Sequence, residues 1–205
     1  MQPASDLTQA GVFLAGTARP IGCLLLIPAL CEAVRGLGTT DWRQRGARLV
    51  AVIAPAAGLL AFLSWTSVEF GTFTKPLTLQ TSSARHGGLT DPVDTLYHDA
   101  ANLLHGHHVG TDLHLPWVVV SVGLLIVVFA RLPLSYGLFS VAMVAVAASG
   151  SNLDSFERYA LSAFPLLMAA TTLLRSRRVE TTVLVLCAVT MFGYALLAFL
   201  AAYVP

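Results

Sequence analysis

Long apolar runs alternate with short polar connections along most of the chain, at about 11–34, 48–68, 115–130, 132–149, 159–174 and 181–204. A helix crossing a hydrocarbon layer needs about 20 apolar residues, with roughly 17–25 tolerated. The third, fourth and fifth runs are short, so tilt or local thinning is implied, with a tight turn at Arg131-Leu132-Pro133. Inside 69–114 the pattern changes. Asp91 suits a helix N-cap, Pro92 a first helical position and Gly106 a stop. Val93, Leu96, Tyr97, Ala100, Leu103 and Leu104 then make one apolar stripe, with Asp94, His98, Asn102 and His105 opposite. The pattern predicts an all-α fold: a polytopic transmembrane helical bundle of about six spans, one membrane domain over 1–205, with an interfacial helix in the 69–114 loop.

Composition agrees with the pattern. The chain is 56% hydrophobic and 11% charged, with a mean hydropathy of +0.72. Soluble domains carry about 25% charged residues, so this chain has too little polar surface to cover a globule in water, and the lipid bilayer is its expected solvent. A net charge of +1 says nothing about partners, and with no basic, aromatic-interleaved patch no nucleic acid is expected as one. Cys23, Cys31 and Cys187 sit in apolar runs without CxxC spacing and read as packing residues. Eleven of the twelve basic residues are Arg, which points to a GC-rich bacterial genome.

Charge sets the expected orientation. Arg35, Arg43, Arg45 and Arg48 follow the first run, Arg131 follows the third, and Arg175, Arg177 and Arg178 follow the fifth. The positive-inside rule makes these connections cytoplasmic. The 69–114 loop, with five acids against two bases, then faces outward in a multi-pass protein of the cell membrane. The first residues, MQPASDLTQAG, would also lie outside with no export signal. The chain is therefore expected to be the C-terminal portion of something longer.

Chemistry collects on that extracytoplasmic side. Arg19 lies within the first run, about 12 Å below Gly11 at 1.5 Å per residue. An arginine there costs at least about 2.5–3.5 kcal/mol unless it meets water or a partner. Pro20 offers a cheaper geometry, a helix starting there with Arg19 at its mouth. In both geometries Arg19 reads as the floor of an aqueous cavity, the alternative being an arginine snorkelling to lipid phosphate. In "SNLDSFERYALSAFPLL" (151–167), Arg158 falls at the same expected level. Guanidinium groups bind phosphate bidentately, so the two arginines suit a phosphate-bearing lipid. Asp154 and Glu157 adjoin Arg158 and either pair with it, which is the expectation, or touch sugar hydroxyls, and Pro165 is expected to kink the helix. All six histidines fall in 69–114. The Asp94/His98 stripe reads either as a solvated face or as an acceptor contact. His105, His107 and His108 have no carboxylate in place and no HxxxH spacing, so no metal and no cofactor are expected.

"TARPIGCLLLIPALCEAVR" (17–35) and "SFERYALSAFPLLMA" (155–169) resemble two motifs of the PIG-V-like mannosyltransferases. "EFGTFTKPLTLQ" (69–80) is similar to that family's Phe-Gly-x-Pro segment, with the proline displaced to Pro76. The resemblance implies a GT-C-type fold and metal-independent transfer of mannose, with inversion, from a polyprenyl-phosphate donor to a glycolipid or similar acceptor. It places Arg19, Arg158 and Tyr159 around the donor phosphate. The family's acidic catalytic loop has no counterpart before Gly11, so an N-terminal half encoded upstream is a further expected partner. Candidate general bases in this chain are Asp154, Glu157 and His98. Besides a membrane glycosyltransferase or its C-terminal half, the pattern admits a lipid or small-molecule transporter or flippase subunit. It also admits a non-catalytic membrane partner of a split enzyme.

Overall fold

Apolar residues at helical spacing over most of the chain produce helices. The computed structural model describes residues 3–18, 20–35, 41–80, 90–105, 113–150, 153 and 156–200, and no strand occurs among the described residues. In order they form α1 (Pro3–Ala18), a 3-10 segment (Pro20–Leu25), α2 (Leu26–Arg35), α3 (Trp42–Phe70) and α4 (Lys75–Gln80). After these come α5 (Pro92–Leu104), α6 (Leu115–Arg131), α7 (Leu134–Ala148), α8 (Phe156–Ala160), α9 (Phe164–Leu173) and α10 (Arg177–Phe199).

Among the described residues two helices, α3 with 29 residues and α10 with 23, are long and apolar enough to cross a membrane. Only 17% of the most apolar stretch of α3 is buried, and none of that of α10. A core helix of a water-soluble protein would be covered by its neighbours, whereas here Leu186, Phe192 and Phe199 of α10 stand exposed. Exposure of this kind over a whole helix is what a lipid-facing surface looks like. Helices α6, α7 and α9 are apolar but shorter.

Two of the six expected spans are not continuous helices. The run 11–34 breaks after Ala18 and resumes as a 3-10 segment at Pro20. Proline has no N–H to continue the ladder, and its ring clashes with the carbonyl four residues back. Gly22 then lies directly against the backbone of Ala15 and Gly16, where any Cβ would collide. The run 159–174 breaks into α8 and α9. Pro165 does not kink a helix, contrary to the expectation; it sits in the first turn of α9, where a missing N–H is tolerated. Ala163, with ψ near 80°, separates the two pieces.

The chain folds as two compact units, one of residues 1–80 and 134–142 and the other of 81–133 and 143–205. In the first, α1 crosses α3 at glycines. A Cβ on Gly16 would meet the Pro55 carbonyl, and a Cβ on Gly58 would meet the carbonyl of Phe13. Two backbones approach this closely only where side chains are absent, the usual arrangement for helices associating without a hydrophobic driving force. Asp41 caps α3 by accepting from Trp42 N at 2.7 Å. Gly71, at φ 74°, ends it in the left-handed region, with its N–H bonded to Ser67 O at 3.0 Å. Glu32 on α2 accepts from Ser135 Oγ at 2.9 Å and Arg35 Nη1 at 3.3 Å.

In the second unit, Val118, Val128, Phe156, Ala160, Leu166 and Ala169 are buried where α6, α8 and α9 pack. Arg131 Nη1 closes one end of this packing on Thr172, reaching its carbonyl at 2.9 Å and its hydroxyl at 3.1 Å. Helix α5 starts as expected, with Asp91 Oδ1 accepting from Val93 N at 2.9 Å. Thr95 on α5 is buried, and its hydroxyl bonds that of Thr90 at 3.2 Å. Val93, Tyr97 and Leu104 of its apolar stripe point away from protein, Leu104 being 86% exposed. The expected stop at Gly106 lies outside the described residues.

Candidate functional site

The sequence-predicted residues that the structure brings together lie on α8, a helix of five residues. Leu153 and Phe156 are fully buried, and Phe156 N bonds Leu153 O at 2.9 Å to start the turn. Phe156 and Ala160, four residues apart, face the core. At about 100° per residue, Arg158 must then point away from it, and it is exposed. The helix ends when Ser162 Oγ donates to Arg158 O at 2.8 Å, and Leu161 N and Ser162 N reach back to Glu157 O and Tyr159 O.

What fixes this short helix is Glu157. Its two carboxylate oxygens both lie 2.7 Å from Nδ1 of His114, the residue just before α6. An ionised carboxylate only accepts, so Nδ1–H donates to it. His114 is completely buried, and the Glu157 side chain is 14% exposed. The expected pairing of Glu157 with Arg158 is therefore not what forms; Glu157 reaches across to His114. The physical reason is geometry: residues adjacent on a helix diverge by about 100° and do not face each other.

Around this pair the polar groups are connected. His114 O accepts from Trp117 N at 3.0 Å at the start of α6. The neighbouring Leu113 carbonyl accepts from Tyr194 OH of α10 at 3.0 Å, and that hydroxyl receives Trp117 Nε1–H at 3.2 Å. On the outward side, the Arg158 guanidinium carbon stands 5.5 Å from the centre of the Tyr159 ring, a cation–π distance. Arg158 is thus an exposed cation backed by an aromatic face, on a helix held by a buried hydrogen bond.

His98 and His105 stand apart from this cluster. His98 Nε2 is 3.5 Å from Asp94 Oδ1 on α5, with both side chains 68% exposed, so the stripe there is a solvated i, i+4 pair. His105 Nδ1 bonds Ala101 O at 2.7 Å. Arg19, Asp154, His86, His107 and His108 lie outside the described residues. Among the described residues, no group of three or more His, Cys, Asp or Glu is placed to hold a metal ion.

His114 is the residue that sequence reasoning passed over. Its signal was a histidine placed directly before the apolar run "LPWVVVSVGLL", where a buried imidazole requires a partner. The partner is 43 positions away, beyond the reach of any local pattern. Compared with protein-family models, with curated proteins and with solved structures, the chain matches none.

Proposed function

We propose that this chain is a multi-pass membrane protein that binds a polyprenyl-phosphate sugar at its extracytoplasmic face and serves mannose transfer to a glycolipid acceptor. It acts as, or as the C-terminal half of, a PIG-V-like glycosyltransferase of GT-C type. The observation that carries the reading is Arg158. It is exposed, backed by Tyr159 and held on α8 by the Glu157–His114 pair. Departure of a lipid phosphate leaves negative charge on oxygen, and a fixed guanidinium stabilises that charge in the transition state. The resemblance of 17–35 and 155–169 to the family's motifs supports the same assignment for Arg19 and Tyr159.

Sugar transfer also needs a base for the acceptor hydroxyl. Glu157 is engaged with a buried imidazole and His98 is a solvated surface residue. This leaves Asp154 among the candidates in this chain, or an acidic outer loop on a partner half, to supply the base. The test is to reconstitute the chain in vesicles, alone and with the product of the upstream reading frame, and to supply polyprenyl-phosphate mannose and glycolipids. Mannose transfer by the pair that is lost in Arg158→Ala supports the proposal. Full activity in Arg158→Ala, or donor binding that ignores this residue, refutes it.

A further inference from the structure

Helix α10 opens with two adjacent arginines, Arg177 and Arg178, directly after a neutral cap, Ser176, whose Oγ accepts from Val179 N at 3.3 Å. A helix N-terminus is itself positive, so cations there are opposed by the macrodipole. Glu180 is the acidic residue of the first turn. At about 100° per residue it stands about 60° from Arg177 and about 160° from Arg178, on the far flank of the helix. Among the described residues, no side-chain hydrogen bond or ion pair joins Glu180 to either arginine, or either arginine to any other group. The segment leading into α10 adds cations, not carboxylates: Arg131 Nη1 is held on Thr172, and Arg175 follows.

Rows of side chains four residues apart form ridges on a helix, with grooves between them. Arg177, Thr181 and Val185 make one ridge and Arg178, Thr182 and Leu186 the next, and these six line an open groove of about 790 Å³. Arg177 and Arg178, about 100° apart, stand on its two sides, so both long side chains can close on a group lying between them. Thr181 Oγ1 donates to Arg177 O at 2.8 Å and Thr182 Oγ1 to Arg178 O at 2.9 Å. Those hydroxyls have no proton left for an anion, so an anion here is met by the guanidinium groups. Val185 and Leu186, deeper along the groove, are exposed. Guanidinium, then hydroxyl, then alkyl is the order of polarity met on entering a bilayer. Arg177 to Leu186 spans about 14 Å at 1.5 Å per residue, close to half of a hydrocarbon layer about 30 Å thick.

We infer that this groove holds one anionic phospholipid, its phosphate between Arg177 and Arg178 and an acyl chain along Val185 and Leu186. Guanidinium forks match phosphate oxygens in geometry and charge. A zwitterionic phospholipid brings its own cation beside the phosphate, whereas an anionic one supplies the counter-charge that the two arginines lack within the fold. The inference rests on the membrane reading and is independent of sugar transfer.

The first test titrates the full chain with phosphatidylglycerol or phosphatidylcholine and reads bound lipid by native mass spectrometry. Phosphatidylglycerol should bind more tightly, and Arg177→Gln with Arg178→Gln should weaken it about thirtyfold. Each single change should cost about fivefold, whereas Arg175→Gln, which removes the same charge outside the groove, should cost less than about twofold. Equal affinity for the two lipids, or equal losses from all three single variants, overturns the inference, the latter by showing a diffuse surface field. Displacement of the lipid by inorganic phosphate would make this a free-phosphate site and also overturn it.

A second measurement places the lipid. The chain carries p-benzoylphenylalanine in place of Val185 and is reconstituted in phosphatidylcholine vesicles with a minor fraction of phosphatidylglycerol. After illumination, phosphatidylglycerol adducts in excess of its share of the vesicle, and loss of that excess in Arg177→Gln/Arg178→Gln, support the inference. Adducts in proportion to vesicle composition, or an adduct with a second copy of the chain, overturn it. Failure to insert into the vesicles would refute the membrane reading, and the lipid inference with it.

Discussion

His114 Nδ1 lies 2.7 Å from both carboxylate oxygens of Glu157, joining the start of α6 to α8 across 43 positions of sequence. The histidine is wholly buried and the carboxylate nearly so. Breaking such a pair from one side leaves the other buried group without its partner, which costs up to several kcal/mol, whereas removing both partners costs less. His114→Ala should therefore destabilise the chain by about 3 kcal/mol. The His114→Leu/Glu157→Leu double variant should be clearly less damaged than the two single losses added together. Denaturation of the four proteins in one detergent, read as a double-mutant cycle, checks this; strict additivity would mean that the pair is not coupled.

Arg158 is predicted to act through its planar fork as well as its charge. Arg158→Lys should reduce donor use by about tenfold and Arg158→Ala by about a hundredfold, in line with the loss of one preorganised charge-stabilising donor. Expression and melting temperature should stay near those of the parent, because the side chain is exposed. Initial rates against donor concentration, with the upstream half present, provide the check. Equal activity of Lys and Arg would reduce the residue to a point charge.

The glycines of α3 should behave oppositely. Gly58 meets the Phe13 carbonyl across the helix crossing, while nothing lies within 4 Å of a Cβ built at Gly46. Gly58→Ala should destabilise by about 1–3 kcal/mol, the usual range for overpacking. Gly46→Ala should be neutral or stabilise by about 0.5–1 kcal/mol through helix propensity alone. Thermal melts of the two variants distinguish a true crossing from a chance juxtaposition.

The proposed function takes its orientation in the bilayer from the arginine partition. Cysteines placed at Thr81 or Ser151 should label from outside with an impermeant maleimide, and one at Arg45 should not. The reverse pattern would move the proposed donor site to the cytoplasmic face.

Helical class, the cap at Asp91 and the cores of α3, α6, α7 and α10 were legible because each depends on spacing within a few residues. The two broken spans were legible only as ambiguities. Pro20 and Pro165 are compatible with a kink, a boundary or a helix start until tertiary contacts choose. At Pro20 the structure adds the packing of Gly22 onto Ala15 and Gly16, and at Pro165 the turn through Ala163. Arg158 was singled out because a charge is conspicuous at the mouth of an apolar run, and Tyr159 through the family resemblance alone. The Glu157–His114 bond was not, since adjacency to Arg158 suggested a partner that helical geometry disfavours.

Helix α10 buries no residue, yet it is not adrift. Its Tyr194 hydroxyl donates to Leu113 O, Leu113 is bonded to His114, His114 grips Glu157, and Glu157 precedes Arg158. A helix whose surroundings are solvent takes its angular setting from such a latch in place of a core. Rotation of α10 about its own axis by even one residue would swing the phenol away from its acceptor. The register of this exposed helix is thus keyed, through four short links, to the same turn of chain that presents the guanidinium.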